Sequence, residues 1–366
     1  MRTFLKALGT ALAALLVASF IAVVVATPGA FSPHTPPILG PDGEPLPGSV
    51  AELRVMELGG VEQYVLIRGA DASNPVLLWL HGGPGAAQMP LAHWLDRELE
   101  EEFVVVHWDQ RGAGKSNPRG FDETSMTLDR FLDDTRELMD HLRARLGHDR
   151  IFLLGHSWGA LLGIQVAARY PEDLHAYIGV SQVVDNHRGY NLAYEWLRAQ
   201  IDEEPSARGS QLLEELGHPP YVEHADHVAF ARLVGEYGGN FDVDMGQLIR
   251  IGMAAPEYGL LDYLRWLRGA NRGSGPMWDP VFARPIDLMA ELPSLEIPVF
   301  LLSGREDYNT PMELVAEYHR SLEAPYKELV VFEGAAHTPF LADPQRFREE
   351  LIRIKGAVGS IQAPPN

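Results

Sequence analysis

Ser157 stands in Ile151-Phe-Leu-Leu-Gly155-His156-Ser157-Trp158-Gly159-Ala160, an apolar strand that breaks into a Gly-x-Ser-x-Gly turn and then a helix-forming run from Leu161 to Tyr170. A serine at so tight a strand-to-helix turn has a cramped backbone. The turn is tolerable because the residues two before and two after it lack a Cβ, and it makes the hydroxyl project from the top of a sheet. The chemistry implied is nucleophilic attack. A hydroxyl is too weak for that alone: a base must take its proton, an acid must orient the base, and N–H donors must wait where the oxyanion forms. An ordinary serine in a strand-to-helix loop is the plainer reading, and the flanking strand and helix weigh against it.

The rest of the chain supplies these partners in the order serine, acid, histidine. Ile297-Pro298-Val-Phe-Leu-Leu-Ser-Gly304-Arg305-Glu306-Asp307 reads as a buried strand ending in a loop, which puts an acid at the carboxyl end of a strand. Glu306 competes with Asp307 for the role. Asp307 is preferred because it completes Gly-x-x-Asp and is followed by Thr310-Pro311, which opens the next helix. Of the fourteen histidines, His337 is the best base. It follows the apolar strand Leu329-Val-Val-Phe332 in Gly334-Ala-Ala-His337-Thr-Pro339, a loop of small residues expected to let the imidazole swing over the nucleophile. For the oxyanion, Val76-Leu-Leu-Trp-Leu80 runs into His81-Gly82-Gly83-Pro84-Gly85. One donor is expected to be the N–H of Trp158 and the other an N–H of this loop, Gly83 by preference and Gly82 as the alternative. A plain Gly/Pro turn is the competing account of the loop.

Together with Asp109-Gln110-Arg111-Gly112-x-Gly114-x-Ser116, these residues resemble the proline iminopeptidase branch of the α/β-hydrolase superfamily, over roughly residues 50 to 355. The His-Gly-Gly-Pro-Gly loop and the Ser-Trp-Gly elbow are fairly specific to that branch; the order of the three catalytic residue types is common to the whole superfamily. The elbow departs from the pattern. Prolyl aminopeptidases typically carry Gly-Gly-Ser-Trp-Gly-Ser, whereas His156 and Ala160 stand here, and a histidine before the serine is common among esterase-like members. The resemblance therefore implies the fold and chemistry more firmly than peptide specificity.

Three further motifs invite other chemistry. Gly114-Lys115-Ser116 looks like the end of a phosphate-binding loop, but the glycine that motif needs five positions earlier is Asp109. The better account is a turn in which Asp109 and Arg111 make charge-assisted contacts beneath the site. His224-Ala-Asp-His227 puts two imidazoles on one face of a helix without a third ligand, so solvated helix surface is preferred to a metal site. Asp242-Val-Asp244 lacks the other positions of a calcium loop. No metal and no cofactor is expected.

The chain has 366 residues, 46% of them hydrophobic, enough for one large core and a lid without a second independent domain. Thirty basic against fifty acidic side chains give a formal charge of −20, which argues against nucleic acid or an anionic membrane surface as partner of the folded part. There is no cysteine, hence no disulfide and no thiolate site. Arg2 and Lys6 precede an almost unbroken apolar stretch from Ala7 to Ala26. That stretch is longer than a usual signal core and close to the length that spans a bilayer, so an uncleaved signal anchor is preferred to a cleaved signal peptide ending at Ala26. The catalytic domain is then expected outside the cytoplasm, membrane-anchored, or periplasmic or secreted if the leader is cleaved. Residues 27–49, with seven prolines from Pro28 to Pro47, read as an extended, semi-rigid linker that holds the domain off the membrane.

Strands are predicted near 50–58, 61–68, 75–80, 103–108, 150–155 and 175–181, and helices near 89–101, 127–146 and 158–170. Alternation of this kind implies an α/β fold, a mostly parallel sheet with helices on both faces. From 184 to 292 the alternation gives way to helical, aromatic-rich sequence, read as a helical lid inserted into a core of residues 50–183 and 293–357, with 358–366 as a tail. The expectation is a serine hydrolase acting through Ser157, His337 and Asp307 on a small molecule or short peptide. An elbow serine excludes the carboxylate-nucleophile mechanism of epoxide hydrolases and dehalogenases. The resemblance favours peptides or amides with a free amino terminus, with carboxylic esters or lactones as the alternative and a catalytically silent binding module as a third reading. A cationic amino group calls for carboxylates on the lid. Glu195, Glu203, Glu204, Glu214, Glu215 and Glu236 are the candidates, with Glu195 first because it lies soonest after the sixth strand between Tyr194 and Trp196.

Overall fold

The computed structural model describes residues 27–241 and 243–362. The predicted leader, Asp242 and the last four residues lie outside the described residues. Eight strands form one sheet: β1 (Val50–Leu58), β2 (Val61–Gly69), β3 (Val76–Leu80), β4 (Val104–Asp109), β5 (Ile151–His156), β6 (Leu174–Val180), β7 (Val299–Gly304) and β8 (Lys327–Phe332). Their order is β1-β2-β4-β3-β5-β6-β7-β8. β1 and β2 form an antiparallel hairpin, β2 pairs antiparallel with β4, and every later pairing is parallel. The parallel strands β3, β4, β5 and β7 are buried at every position, the mark of strands covered on both faces.

The helices follow from local signals. α1 (Leu128–Leu146) starts where the Thr127 side chain accepts from Arg130 N–H and ends where Gly147 turns left-handed at φ 74°. α2 (Trp158–Arg169) begins directly after the elbow and is buried on nearly every side. Between β6 and β7 lie α3 (Asn186–Glu203), α4 (Ala207–Leu216), α5 (His224–Glu236), α6 (Met245–Met253) and α7 (Leu260–Arg272). α8 (Met312–Ser321) and α9 (Pro344–Gln362) complete the chain. Side chains on one sheet face, such as Leu78, Leu80 and Leu153, pack with α1, α2 and α8. The alternate residues Leu77, Trp79 and Leu154 pack with Phe347, Leu351 and Ile354 of α9. The inserted helices have a small core of their own around Leu197, Leu213, Phe230 and Leu233.

Several expectations need correcting. The helix predicted over 89–101 is three short turns, Met89–Leu91, Ala92–Leu95 and Leu99–Glu102, broken where the Asp96 carboxylate turns inward to His107 Nε2 at 2.7 Å. Residues 27–49 do not stand off the domain. His34 N–H donates to Pro256 O (2.9 Å), Leu260 N–H to Ala30 O (3.1 Å), and Arg68 holds both Thr35 Oγ1 (2.6 Å) and Pro36 O (2.7 Å). At the far end of the insertion, Met277, Val281, Ile286 and Leu288 belong to the main core rather than to the core of the inserted helices. α9 runs through 357 to Gln362, into the expected tail. Among the described residues no helix is long and apolar enough to cross a membrane.

Candidate active site

Ser157 stands between β5 and α2 at φ 56°, ψ −114°, a strained conformation for a residue with a side chain. The neighbouring glycines make it possible. A Cβ at Gly155 would run into the carbonyl oxygen of Gly159, and one at Gly159 into that of Leu80. The serine backbone is fixed by its own N–H, which donates to Val180 O at 3.0 Å.

His337 follows β8 in a loop that turns at Gly334 (φ 74°). The loop is tied down rather than swinging. His337 N–H donates to Asn240 O (2.8 Å), and its carbonyl accepts from His156 Nε2 (2.9 Å) and Ser181 Oγ (3.0 Å). The residue before the elbow serine thus anchors the loop that carries the imidazole, and the two histidine rings lie 5.0 Å apart. Burial beside His337 pushes the His156 imidazole down to about 3, so it serves here as a neutral donor.

Asp307 is buried, and its Oδ2 lies 3.0 Å from His337 Nδ1. Burial alone would raise its pKa. The charge and hydrogen bond of His337 outweigh that, aided by Thr310 N–H (2.8 Å) and Oγ1 (2.8 Å), and the carboxyl falls below its ordinary range. Glu306 is exposed and does not line the cavity at Ser157. With Nδ1 turned to Asp307, Nε2 is the ring nitrogen left for a serine hydroxyl. Asn309 Nδ2 donates to it at 3.0 Å. Asn309 and Thr310 were missed in the sequence, where Asp307-Tyr-Asn-Thr310 reads only as a loop into a helix.

Gly83, with φ 116°, lines the cavity beside Ser157 and Trp158; Gly82 does not line it and packs against the His156 ring. The brace of this loop is Gln110, which the sequence offers as part of a motif but without this role. Its Nε2 donates to His81 O (3.1 Å) and its Oε1 accepts from Trp158 Nε1 (3.0 Å), so one side chain holds the glycine loop to the first residue of α2. Gln110 N–H also donates to His81 Nε2 (3.2 Å), which leaves His81 Nδ1–H for Gly82 O (2.7 Å). The other members of that motif are structural. Arg111 grips Asp134 with Nε and Nη2, both at 2.9 Å, and Lys115 is buried with its Nζ 2.6 Å from Asp262.

The cavity above Ser157 has a volume of about 110 Å³. Its cap-side wall includes Tyr190, His227, Phe230, Val234, Trp278 and Phe282. His227 is therefore no solvated helix surface. It bonds the Tyr190 hydroxyl (2.9 Å), stacks on Trp278 and is held neutral, its pKa pushed by burial down to about 4. His224 bonds Ser274 Oγ at 2.8 Å, and among the described residues no group of three or more potential metal ligands occurs. Glu195 is exposed, 3.5 Å from Arg198 and 3.9 Å from His218. Neither it nor the other five lid glutamates lines the cavity, and all six are exposed. The one carboxylate among the lining residues is Asp185, the N-cap of α3, which accepts from Arg188 N–H at 2.9 Å.

A strand-to-helix serine elbow under a helical cap, with an Asp–His pair on the two loops that follow, is the plan of an α/β hydrolase. A family model described as alpha/beta hydrolase fold matches residues 75–344, and the chain belongs to that family. Within it the chain is a serine hydrolase of the proline iminopeptidase-like branch. It is 32% identical over 308 residues to the probable aminopeptidase YbaC of Bacillus subtilis (strain 168), covering 83% of this chain and 96% of that one. It is 25% identical over 307 residues to a proline iminopeptidase of Lactobacillus delbrueckii subsp. lactis, covering 81% and 96%. Its fold is similar to the crystal structure of the proline iminopeptidase of Mycobacterium smegmatis, with a TM-score of 0.63, 23% identity, and coverage of 85% of this chain and 100% of that one.

Proposed function

We propose that the protein cleaves small acyl substrates through an acyl-enzyme on Ser157. His337 Nε2 takes the serine proton and returns it to the leaving group, while Asp307 holds Nδ1–H and balances the imidazolium. The N–H groups of Trp158 and Gly83 receive the oxyanion, and water then releases the acyl group. The observation that carries this reading is the 3.0 Å pairing of His337 Nδ1 with buried Asp307, on a loop pinned to the residue preceding Ser157. A cavity beside Ser157 walled by aromatic side chains with a few polar groups suits a small molecule or short peptide.

The substrate class favoured is a peptide or amide with a free amino terminus. The probable aminopeptidase and the proline iminopeptidase similar to this chain support it. Asp185 is then the carboxylate available to the substrate ammonium. A second reading, carboxylic ester or lactone hydrolysis, is favoured by the aromatic wall and by the absence of all six lid glutamates from the cavity lining. The apolar run from Ala7 to Ala26 behind Arg2 and Lys6 supports a membrane-anchored domain outside the cytoplasm.

The test is a screen of the full chain and its Ser157→Ala variant against aminoacyl-arylamides beside short-chain aryl esters. The wild type is expected to turn over the arylamides, and the variant to fold normally and retain at most roughly a thousandfold over water. Near-wild-type turnover by folded Ser157→Ala overturns the assignment, and turnover of esters alone selects the second reading.

A further inference from the structure

Helix α7 is built inside out. Its polar and aromatic positions face the protein: Asp262 pairs with Lys115 (2.6 Å), the Tyr263 hydroxyl donates to Gly252 O (2.6 Å), and Trp266 Nε1 donates to Ala87 O (2.7 Å). Gly269 lies against the backbone of Gly85 and Gly112. The apolar positions face outward, with Leu261, Leu264 and Leu267 at 69%, 63% and 50% exposure. Their spacing of three puts them on one side of the helix. A lone exposed leucine is unremarkable, but an aligned row on a helix that turns its polar groups inward is a contact surface without its contact. The other charged side chains of α7 are held within the protein: Arg265 by Asp262 (2.9 Å), Arg268 by Asn117 Oδ1 (2.9 Å) and Pro118 O (2.8 Å), and Arg272 by Glu123 (3.3 Å).

The path of the chain says what lies over that row. The described residues begin at Thr27, directly after the apolar run, and the first of them are bound to the start of α7. Ala30 O accepts from Leu260 N–H (3.1 Å), Pro256 O accepts from His34 N–H (2.9 Å), and Pro33 packs over Gly259. Phe31, in the same stretch, is 73% exposed. Whatever holds residues 7–26 is therefore brought within a few residues of the leucine row, with no free linker between.

We propose that α7 lies flat on the bilayer that holds the N-terminal apolar run, with Leu261, Leu264 and Leu267 entering the headgroup boundary. An exposed apolar row on a helix face, delivered to the surface by a short tether, is the arrangement of an interfacial helix. Ser274 and Trp278, which line the cavity over Ser157, follow α7 within six residues. The inference rests on the anchor reading and is independent of the catalytic one.

Because the chain has no cysteine, Leu264→Cys gives a single thiol for an environment-sensitive fluorophore. Asp149→Cys, exposed at the opposite, amino-terminal ends of the strands, is the reference. Full-length protein is reconstituted into phosphatidylethanolamine/phosphatidylglycerol vesicles and floated on a density gradient. The expected result is flotation of both variants, with emission at position 264 shifted to the blue and quenched by brominated acyl chains, and emission at 149 unchanged. If the protein floats and the label at 264 stays aqueous, the inference fails while the anchor stands. A blue shift that brominated lipid does not quench assigns the row to a second copy of the chain and equally overturns it. Failure to float removes anchor and inference together, and leaves arylamide or ester turnover by Ser157 as the separate readout of the catalytic reading.

Discussion

Asn309 is the residue whose position changes the picture of the site most. Its amide donates to His337 Nε2, the nitrogen that takes the serine proton in the proposed mechanism, so the imidazole rests on a neighbour rather than on the serine hydroxyl. Asn309→Ala removes that competitor. A neutral hydrogen bond has a net worth of about 0.5–1.5 kcal/mol, so Ser157 is expected to react with a fluorophosphonate roughly two- to tenfold faster in the variant. Slower inactivation shows that Asn309 assists the chemistry instead. The acid gives a sharper test. Asp307→Asn leaves the imidazole with the wrong tautomer and is expected to lower kcat on the order of 10⁴-fold, whereas Glu306→Gln, at an exposed position, changes it little. The reverse ranking in steady-state kinetics assigns the role to Glu306. Ser157, Asp307 and His337 can be proposed from the sequence because each stands at the carboxyl end of an apolar strand beside small residues. Asn309 and Gln110 cannot be given their roles from it, because a side-chain amide becomes functional only through what the fold sets opposite it.

At the scale of elements, the strands were legible and the inserted helices were legible only in kind. Buried parallel strands such as β3 and β7 are apolar runs preceded by Pro, whereas the exchange of β3 and β4 in the sheet order could not be read from chain order. Nor does any rule tell which face of an inserted helix meets the cavity. Glu195 points to solvent although it flanks two aromatics, while the cap residue at the start of the same helix, Asp185, lines the cavity. That placement yields a discriminating prediction. Asp185→Asn keeps an N-cap of equal quality, so α3 and the melting temperature are expected to hold, while the charge is lost. If an ammonium binds there, KM for aminoacyl-arylamides rises roughly ten- to a hundredfold, the effect of losing a charge-assisted contact of about 1.5–3 kcal/mol, with ester turnover unchanged. Equal effects on both substrates, or none, remove Asp185 from substrate recognition.

At the scale of the whole molecule, the turn after β4 ties sheet, glycine loop and cap together, and its centre is a carboxylate under stress. Asp109 is wholly buried; its Oδ2 accepts from Lys115 N–H (2.8 Å) and from the Tyr258 hydroxyl, and Oδ1 has no partner. Burial raises its pKa from 3.8 to about 7, against the opposing pull of Tyr258 and Lys115. The folded protein therefore holds a proton that the unfolded chain releases near pH 4. Stability from this group is fully present below that pH, falls as pH rises towards 7, and is level above it, a loss of up to about 4 kcal/mol at 1.36 kcal/mol per unit. Buried His81, His156 and His227, pushed down to about 4, 3 and 4, act with the opposite sign and make the wild type gain stability over part of the same range. The contribution of Asp109 is thus read as a difference. Asp109→Asn keeps an acceptor for Tyr258 and Lys115 but cannot ionise. Urea midpoints measured from pH 4.5 to 8 are expected to show the variant overtaking the wild type progressively up to about pH 7, then running parallel to it. A constant offset across that range would mean that Asp109 carries the same charge folded and unfolded, and that the unpartnered Oδ1 is satisfied by a group other than a proton.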